Sequence, residues 1–163
     1  MCGIVGYAGS REAAAVLVNG LKKLEYRGYD SAGIALHKEG RLVVSKAAGS
    51  VEALERILGH QFEGASVGIG HTRWATHGRP TDVNAHPHSS RNGNFVVVHN
   101  GIIENYRELR RRLSEENGYQ FTSETDTEVL AHLVENYYRG DLLKAVRIAM
   151  GQVVGSYALV VLA

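Results

Sequence analysis

The side chains best suited to chemistry fall at a few tight places, and the first is the start of the chain. Met1 is followed directly by Cys2, the only cysteine in 163 residues. Once an initiator methionine is removed, the Cys2 thiol and the chain's own α-amine share one residue, so a nucleophile stands beside a base without help from any other side chain. The competing reading is an ordinary buried cysteine opening a strand, since free cysteine is among the most buried residue types. Position alone favours the buried cysteine.

Further along, polar groups coincide with breaks in the backbone pattern. His71, His77, His86, His88 and His99 crowd into one stretch. Imidazole is a common metal ligand, but no pair has the i, i+4 spacing of a helical site and no carboxylate or cysteine joins at diagnostic spacing. Loop packing and substrate hydrogen bonding are therefore preferred to a metal. Arg73 can fork onto a carboxylate or make a surface salt bridge. Asn100-Gly101 ends an apolar run; an amide and a glycine N–H aimed at one point have the composition of an oxyanion hole, and also of a plain Asn-Gly turn. Asp126 opens a helix, where helix-start electrostatics alone would explain it. Gly64-Ala65-Ser66-Val67-Gly68 matches a serine-hydrolase elbow, but the strand follows it where it should precede. Gly3, Gly6 and Gly9 lack the preceding strand and lysine of a phosphate loop. The arginines at 107, 110, 111 and 112 alternate with Glu104 and Glu108, the pattern of a solvated helix face.

The elements that must position these groups read as follows. A buried strand is expected over 4–8. A helix capped by Ser10 carries Ala14, Leu17, Val18, Leu21 and Leu24. A hairpin joins 33–37 to 41–45 across Lys38-Glu39-Gly40. A short helix bears Leu54, Ile57 and Leu58, and a strand covers 66–70. The polar stretch 72–94 is long for a loop in a compact domain, and such loops are usually functional or disordered. A β-branched strand over 95–99 breaks at Asn100-Gly101. Three helices follow: one with Ile103, Tyr106, Leu109 and Leu113, stopped by Asn117-Gly118; one opened by a Thr125/Glu128 capping box; and one over 141–150. The chain then runs as an apolar strand from 156 to 163. Strands grouped as hairpins with helices between them suggest antiparallel layers covered by helices, and the apolar final strand suggests a domain that continues.

Composition narrows the function classes. The length suits one domain. A net charge of +1 and a pI near 7.9 give no electrostatic footprint for nucleic acid or an anionic membrane. A lone cysteine forms no internal disulfide. There is no signal-peptide pattern, and no apolar run approaches the ~20 residues of a membrane helix. These features point to a soluble cytoplasmic protein. Glycine, 19 residues, falls in clusters that mark tight turns and close backbone approaches.

Read together, MCGIVG (1–6), EYRGYDSAGIA (25–35), HTRWATHG (71–78), NAHPH (84–88), HNGIIEN (99–105) and SETDTE (123–128) resemble the glutaminase domain of the glutamine–fructose-6-phosphate aminotransferase family. That family lies within the N-terminal-nucleophile glutamine amidotransferases. The resemblance covers essentially the whole chain. Trp74 and the NAHPH segment set it apart from the amidophosphoribosyltransferase relatives, the competing assignment within the class; a glutamine-binding fragment without turnover is the alternative outside catalysis. The resemblance implies an α+β fold, an αββα sandwich of two antiparallel sheets, shortened at its C-terminal side. It implies Cys2 as nucleophile with its α-amine as base, and Asn100 Nδ2 with the Gly101 N–H as oxyanion hole. Arg73 would take the α-carboxylate of L-glutamine and Asp126 its α-ammonium. Thr76, His77 and His86 would line or order the closing loop, Trp74 would belong to an ammonia gate, and Arg27 and Tyr29 would lie in a turn near the nucleophile. No metal and no cofactor are implied. The sugar-isomerase half, which binds fructose 6-phosphate and through which dimerisation is expected, is absent from this chain.

Overall fold

Period-two burial, with alternate side chains turned to opposite faces, organises the molecule. The computed structural model describes residues 2–163. Strands β1 (Gly3–Ala8), β2 (Ser31–Lys38), β3 (Arg41–Ala48) and β4 (Val67–Arg73) form one sheet in the order β1-β4-β2-β3. A second sheet orders β5 (His88–Ser89), β6 (Val96–Ile103) and β7 (Gly155–Leu162) as β5-β6-β7. Every pairing is antiparallel.

Helices α1 (Ala13–Leu24) and α2 (Val51–Ile57) cover the outer face of the first sheet, where Leu17, Leu21 and Leu54 pack with Ala32, Ile34 and Leu36 of β2. Helices α3 (Tyr106–Asn117), α4 (Glu128–Tyr137) and α5 (Leu142–Met150) cover the second, with Leu109, Leu113, Leu130 and Leu133 against Phe95, Val97 and Ile103. Between the sheets lies a third core of Ala35, Ile69, Val96, Val98 and Leu162, with Ile4 and Val160 at its margin. The four-layer αββα arrangement is thus present. Among the described residues no helix is long and apolar enough to cross a membrane.

Several local expectations are corrected. Ser10 does not cap α1: Glu12 occupies the cap position, and its carboxylate instead accepts from the Gly64 N–H. The strand after residue 66 runs on to Arg73 because β1 and β2 pair with it on both sides. β6 does not break at Asn100-Gly101; those residues pair with Ala158 and Tyr157 of β7, and the strand continues to Ile103, which therefore lies on the strand and not on the helix. The capping box does not form, since α4 starts after Thr127; Thr125 Oγ1 bonds Ser123 Oγ and His88 Nε2 instead. The long polar segment contains β5 and is tied down by side chains: Asn84 bonds Arg79 O, Glu124 Oε2 and Glu124 N. The hairpin and the Gly118 stop of α3 form as expected, while Asp141, expected within the last helix, caps α5 from outside it.

Candidate active site

The parity of β1 decides where Cys2 points. Ile4 faces the inter-sheet core while Val5 and Tyr7 face the helices. Cys2, two residues before Ile4, sits at the open end of the inter-sheet layer. Its Sγ accepts from the Trp74 N–H at 3.2 Å and its thiol donates to Trp74 O at 3.6 Å. Burial pushes the thiol's pKa up, with the Trp74 backbone contact working the other way. A thiol so placed is protonated at neutral pH and needs a base to become a nucleophile. The removal of Met1, on which an α-amine at Cys2 depends, concerns a residue outside the described ones.

Across the layer gap, even-numbered positions of β6 face the first sheet, as Val96 and Val98 do. Asn100 continues that set. Its Nδ2 donates to Cys2 O at 3.3 Å, and its Oδ1 accepts from His71 Nε2 at 2.8 Å. Gly101 follows with φ of +130°, and a Cβ there would stand 2.1 Å from Ser156 O, so only glycine fits. The Asn-Gly pair is strand, not turn, which removes the plain-turn reading.

Arg73, at the end of β4, is buried and makes no salt bridge among the described residues. Its guanidinium donates to the carbonyls of His77, Gly78 and Arg79 and so shapes the loop after the strand. Burial lowers its pKa, while Asp30, Cys2 and Asp126 pull it back up. Three of its five N–H donors are engaged in this way, so others remain for a ligand. Asp126 lies upstream of α4 rather than in its first turn, and its Oδ2 accepts from the Ile103 N–H at 2.9 Å.

Cys2, Arg73, Trp74, Thr76, His77, His86, Gly101 and Asp126 line one narrow cleft, and Asn100 reaches it through Cys2. Trp74 is half exposed and meets Tyr29 edge-to-face at 5.4 Å. Thr76 Oγ1 contacts His77 Nδ1 at 3.4 Å, and the His77 ring packs on Tyr106. His86 lies deeper than a loop residue would. Its ring stacks on His71 at 4.0 Å, its Nδ1 accepts from the His99 N–H, and its Nε2 reaches Thr127 Oγ1. Larger hollows lie elsewhere on the surface, one of them beside Arg41 and Phe95, and none of them contains Cys2.

Sequence reasoning missed three contributors. Asp30 accepts from the Ala75 N–H and Ser31 Oγ, fixing the turn that flanks the thiol. Thr127 joins His86 to His99. His71 was visible only as one of several histidines. Among the described residues no group of three or more His, Cys, Asp or Glu side chains is placed to hold a metal ion.

Comparison with known proteins agrees with this fold. The family model described as glutamine amidotransferase domain matches residues 58–161. The chain is similar to a glutamine–fructose-6-phosphate aminotransferase [isomerizing] of Symbiobacterium thermophilum, 60% identical over 161 residues, which are 99% of this chain and 26% of that protein. The same-named protein of Thermus thermophilus is 58% identical over 161 residues, with the same shares covered. Among solved structures, glutamine phosphoribosylpyrophosphate amidotransferase from B. subtilis superposes with a TM-score of 0.84 at 28% identity, covering 100% of this chain and 35% of that one. The chain thus spans about a quarter of the length of the curated relatives it matches. With its αββα layers, a cleft built around Cys2 and a family match over residues 58–161, the chain belongs to the glutamine amidotransferase domain family.

Proposed function

We propose that this chain hydrolyses L-glutamine to glutamate and ammonia through a Cys2 thioester. The observation that carries this reading is the convergence of the Cys2 thiol, the Asn100 amide, Gly101, Arg73 and Asp126 at one cleft between the sheets. With Met1 removed, the α-amine of Cys2 takes the thiol proton; the amine titrates near ~7.7–8.0 and an ordinary thiol near ~8.5, and burial raises this thiol further, so the transfer is uphill and is completed as Sγ attacks. Sγ attacks the side-chain amide carbon. The oxyanion that forms is held by Asn100 Nδ2–H and the Gly101 N–H. The protonated α-amine returns its proton to the departing nitrogen, ammonia leaves, and water then cleaves the thioester to give glutamate. Arg73 takes the substrate α-carboxylate and Asp126 the α-ammonium, while Thr76, His77 and His86 shape the cleft around the chain of the substrate.

The ammonia would serve formation of glucosamine 6-phosphate from fructose 6-phosphate bound on a sugar-isomerase domain of the intact protein, with Trp74 at the gate between the two. Identity of 58–60% to the fructose-6-phosphate enzymes, against 28% to the phosphoribosylpyrophosphate enzyme, supports that assignment over the phosphoribosyl one. Ammonia and glutamate release from L-glutamine tests the hydrolysis. Cys2→Ala should lower turnover by at least ~10³-fold and Asn100→Ala by ~10²–10³-fold. A Cys2→Ala protein that turns over like the parent would refute the reading.

A further inference from the structure

We propose that His71 is a positioning residue for the oxyanion hole: its Nε2–H fixes the Asn100 carboxamide so that the Nδ2 donor, and not the oxygen, faces the reacting carbonyl. The proposal rests on the glutaminase reading above and extends it.

Two backbone carbonyls determine the direction of the relay. His99 O, which can only accept, lies 3.1 Å from His71 Nε2, so that nitrogen carries a proton. The same Nε2 is 2.8 Å from Asn100 Oδ1. At the other end Cys2 O, again an acceptor only, lies 3.3 Å from Asn100 Nδ2. One amide hydrogen is thereby used on Cys2 O and the second is left for a ligand. A flipped amide would set oxygen against Cys2 O and nitrogen against the Nε2–H, losing both bonds.

The ring itself cannot turn. His71 is fully buried, its face is stacked on His86 at 4.0 Å and 16°, and His86 is pinned by the His99 N–H and Thr127 Oγ1. His71 Nδ1 has no hydrogen-bond partner among the described residues, so nothing competes for the proton on that side. Burial also keeps the imidazole neutral, with its pKa lowered to about 3. A neutral ring with its single proton on Nε2 is what the relay requires.

Glutamine turnover by the protein and its variants provides the test. His71→Gln places an N–H near the position of Nε2, whereas His71→Asn reaches only the position of Nδ1. His71→Asn should lose kcat by ~10²-fold, the scale of one missing oxyanion donor, with KM little changed. His71→Gln should stay within about tenfold of the parent. In an Asn100→Ala background His71→Asn should add little, because both act through one donor. The proposal is overturned if His71→Asn matches the parent, if both substitutions raise KM and lower kcat alike, or if the His71 and Asn100 effects multiply. A parent that releases no ammonia overturns the glutaminase reading itself, and the His71 role with it; that result is distinct from an active parent indifferent to His71.

Discussion

At Gly101 the backbone itself is a functional group. Its φ is +130°, and a side chain would begin with a Cβ only 2.1 Å from Ser156 O, so there is no room for one. Gly101→Ala must therefore shift β6 against β7 as well as strain the residue. It should lower stability by at least ~2 kcal/mol and reduce glutamine turnover, both measurable on one preparation by denaturant unfolding and ammonia release. An alanine variant with unchanged midpoint and unchanged rate would show that the site does not need the glycine. Taken singly, Cys2, Asn100, Gly101, Arg73 and Asp126 each had an ordinary reading in the sequence, and only the six motifs read together drew them into one candidate site. His71 and Thr127 stayed outside it. His71 meets Asn100 because β4 of one sheet faces β6 of the other, and Thr127 meets His86 because the segments before α4 and β5 converge; no single segment's pattern records either contact.

The close approach of α1 to β4 shows how whole elements set the site. Gly68 and Gly70 present no side chains to α1, so Leu17 and Leu21 lie directly on the strand that carries His71 and Arg73. A Cβ at Gly68 would come within 2.5 Å of Leu36 Cδ2, 2.7 Å of Ala35 O and 2.9 Å of Leu17 Cδ1. Gly68→Ala should consequently destabilise by ~1–3 kcal/mol through overpacking, read as a lower unfolding midpoint; a neutral result would mean that this helix–sheet contact is looser than described. On the far side, Glu128 accepts from Thr122 N, Thr122 Oγ1, Ser123 N and Ser123 Oγ, and so clamps the turn that delivers Asp126. Glu128→Ala leaves those buried donors unpaired. It should reduce stability by ~1–3 kcal/mol and raise KM for glutamine through Asp126, whereas an unchanged KM would separate the clamp from substrate binding. Most elements could be read from apolar period and stop residues. The errors fell where tertiary pairing overrode a local signal: β7 carries β6 straight through Asn100-Gly101, and Glu12 and Glu128 turn their carboxylates to neighbouring segments instead of to their own helix ends.

Across the whole molecule, the layer between the sheets ends in a polar cluster sealed from water. His71, His86 and His88 are buried and neutral, their pKa values lowered by burial, His71 to about 3; His99 is lowered by burial against the pull of Asp126. In the unfolded chain these groups titrate near ~6.5. Below that pH the unfolded state binds protons that the folded state refuses. Stability is therefore full above ~6.5 and falls as pH drops toward the folded values, by up to ~1.4 kcal/mol per pH unit for each such histidine. Glu128 adds to the loss further down: burial would raise its pKa, but His132, Ser123 and Thr122 outweigh that and hold it well below the carboxylate range. Unfolding midpoints measured at pH 7.5, 6 and 5 should fall steeply across the series, and a flat series would contradict neutral burial of the cluster. The function proposed for the molecule turns on Cys2 acting as the nucleophile of a glutaminase. The decisive experiment is incubation of the protein with an electrophilic glutamine analogue, followed by intact-mass and peptide mass spectrometry. A single adduct on Cys2 is expected, in chains that have lost Met1, with labelling suppressed by L-glutamine. A Met1-free chain left unlabelled at Cys2 while still releasing ammonia from glutamine would rule out Cys2 as the nucleophile.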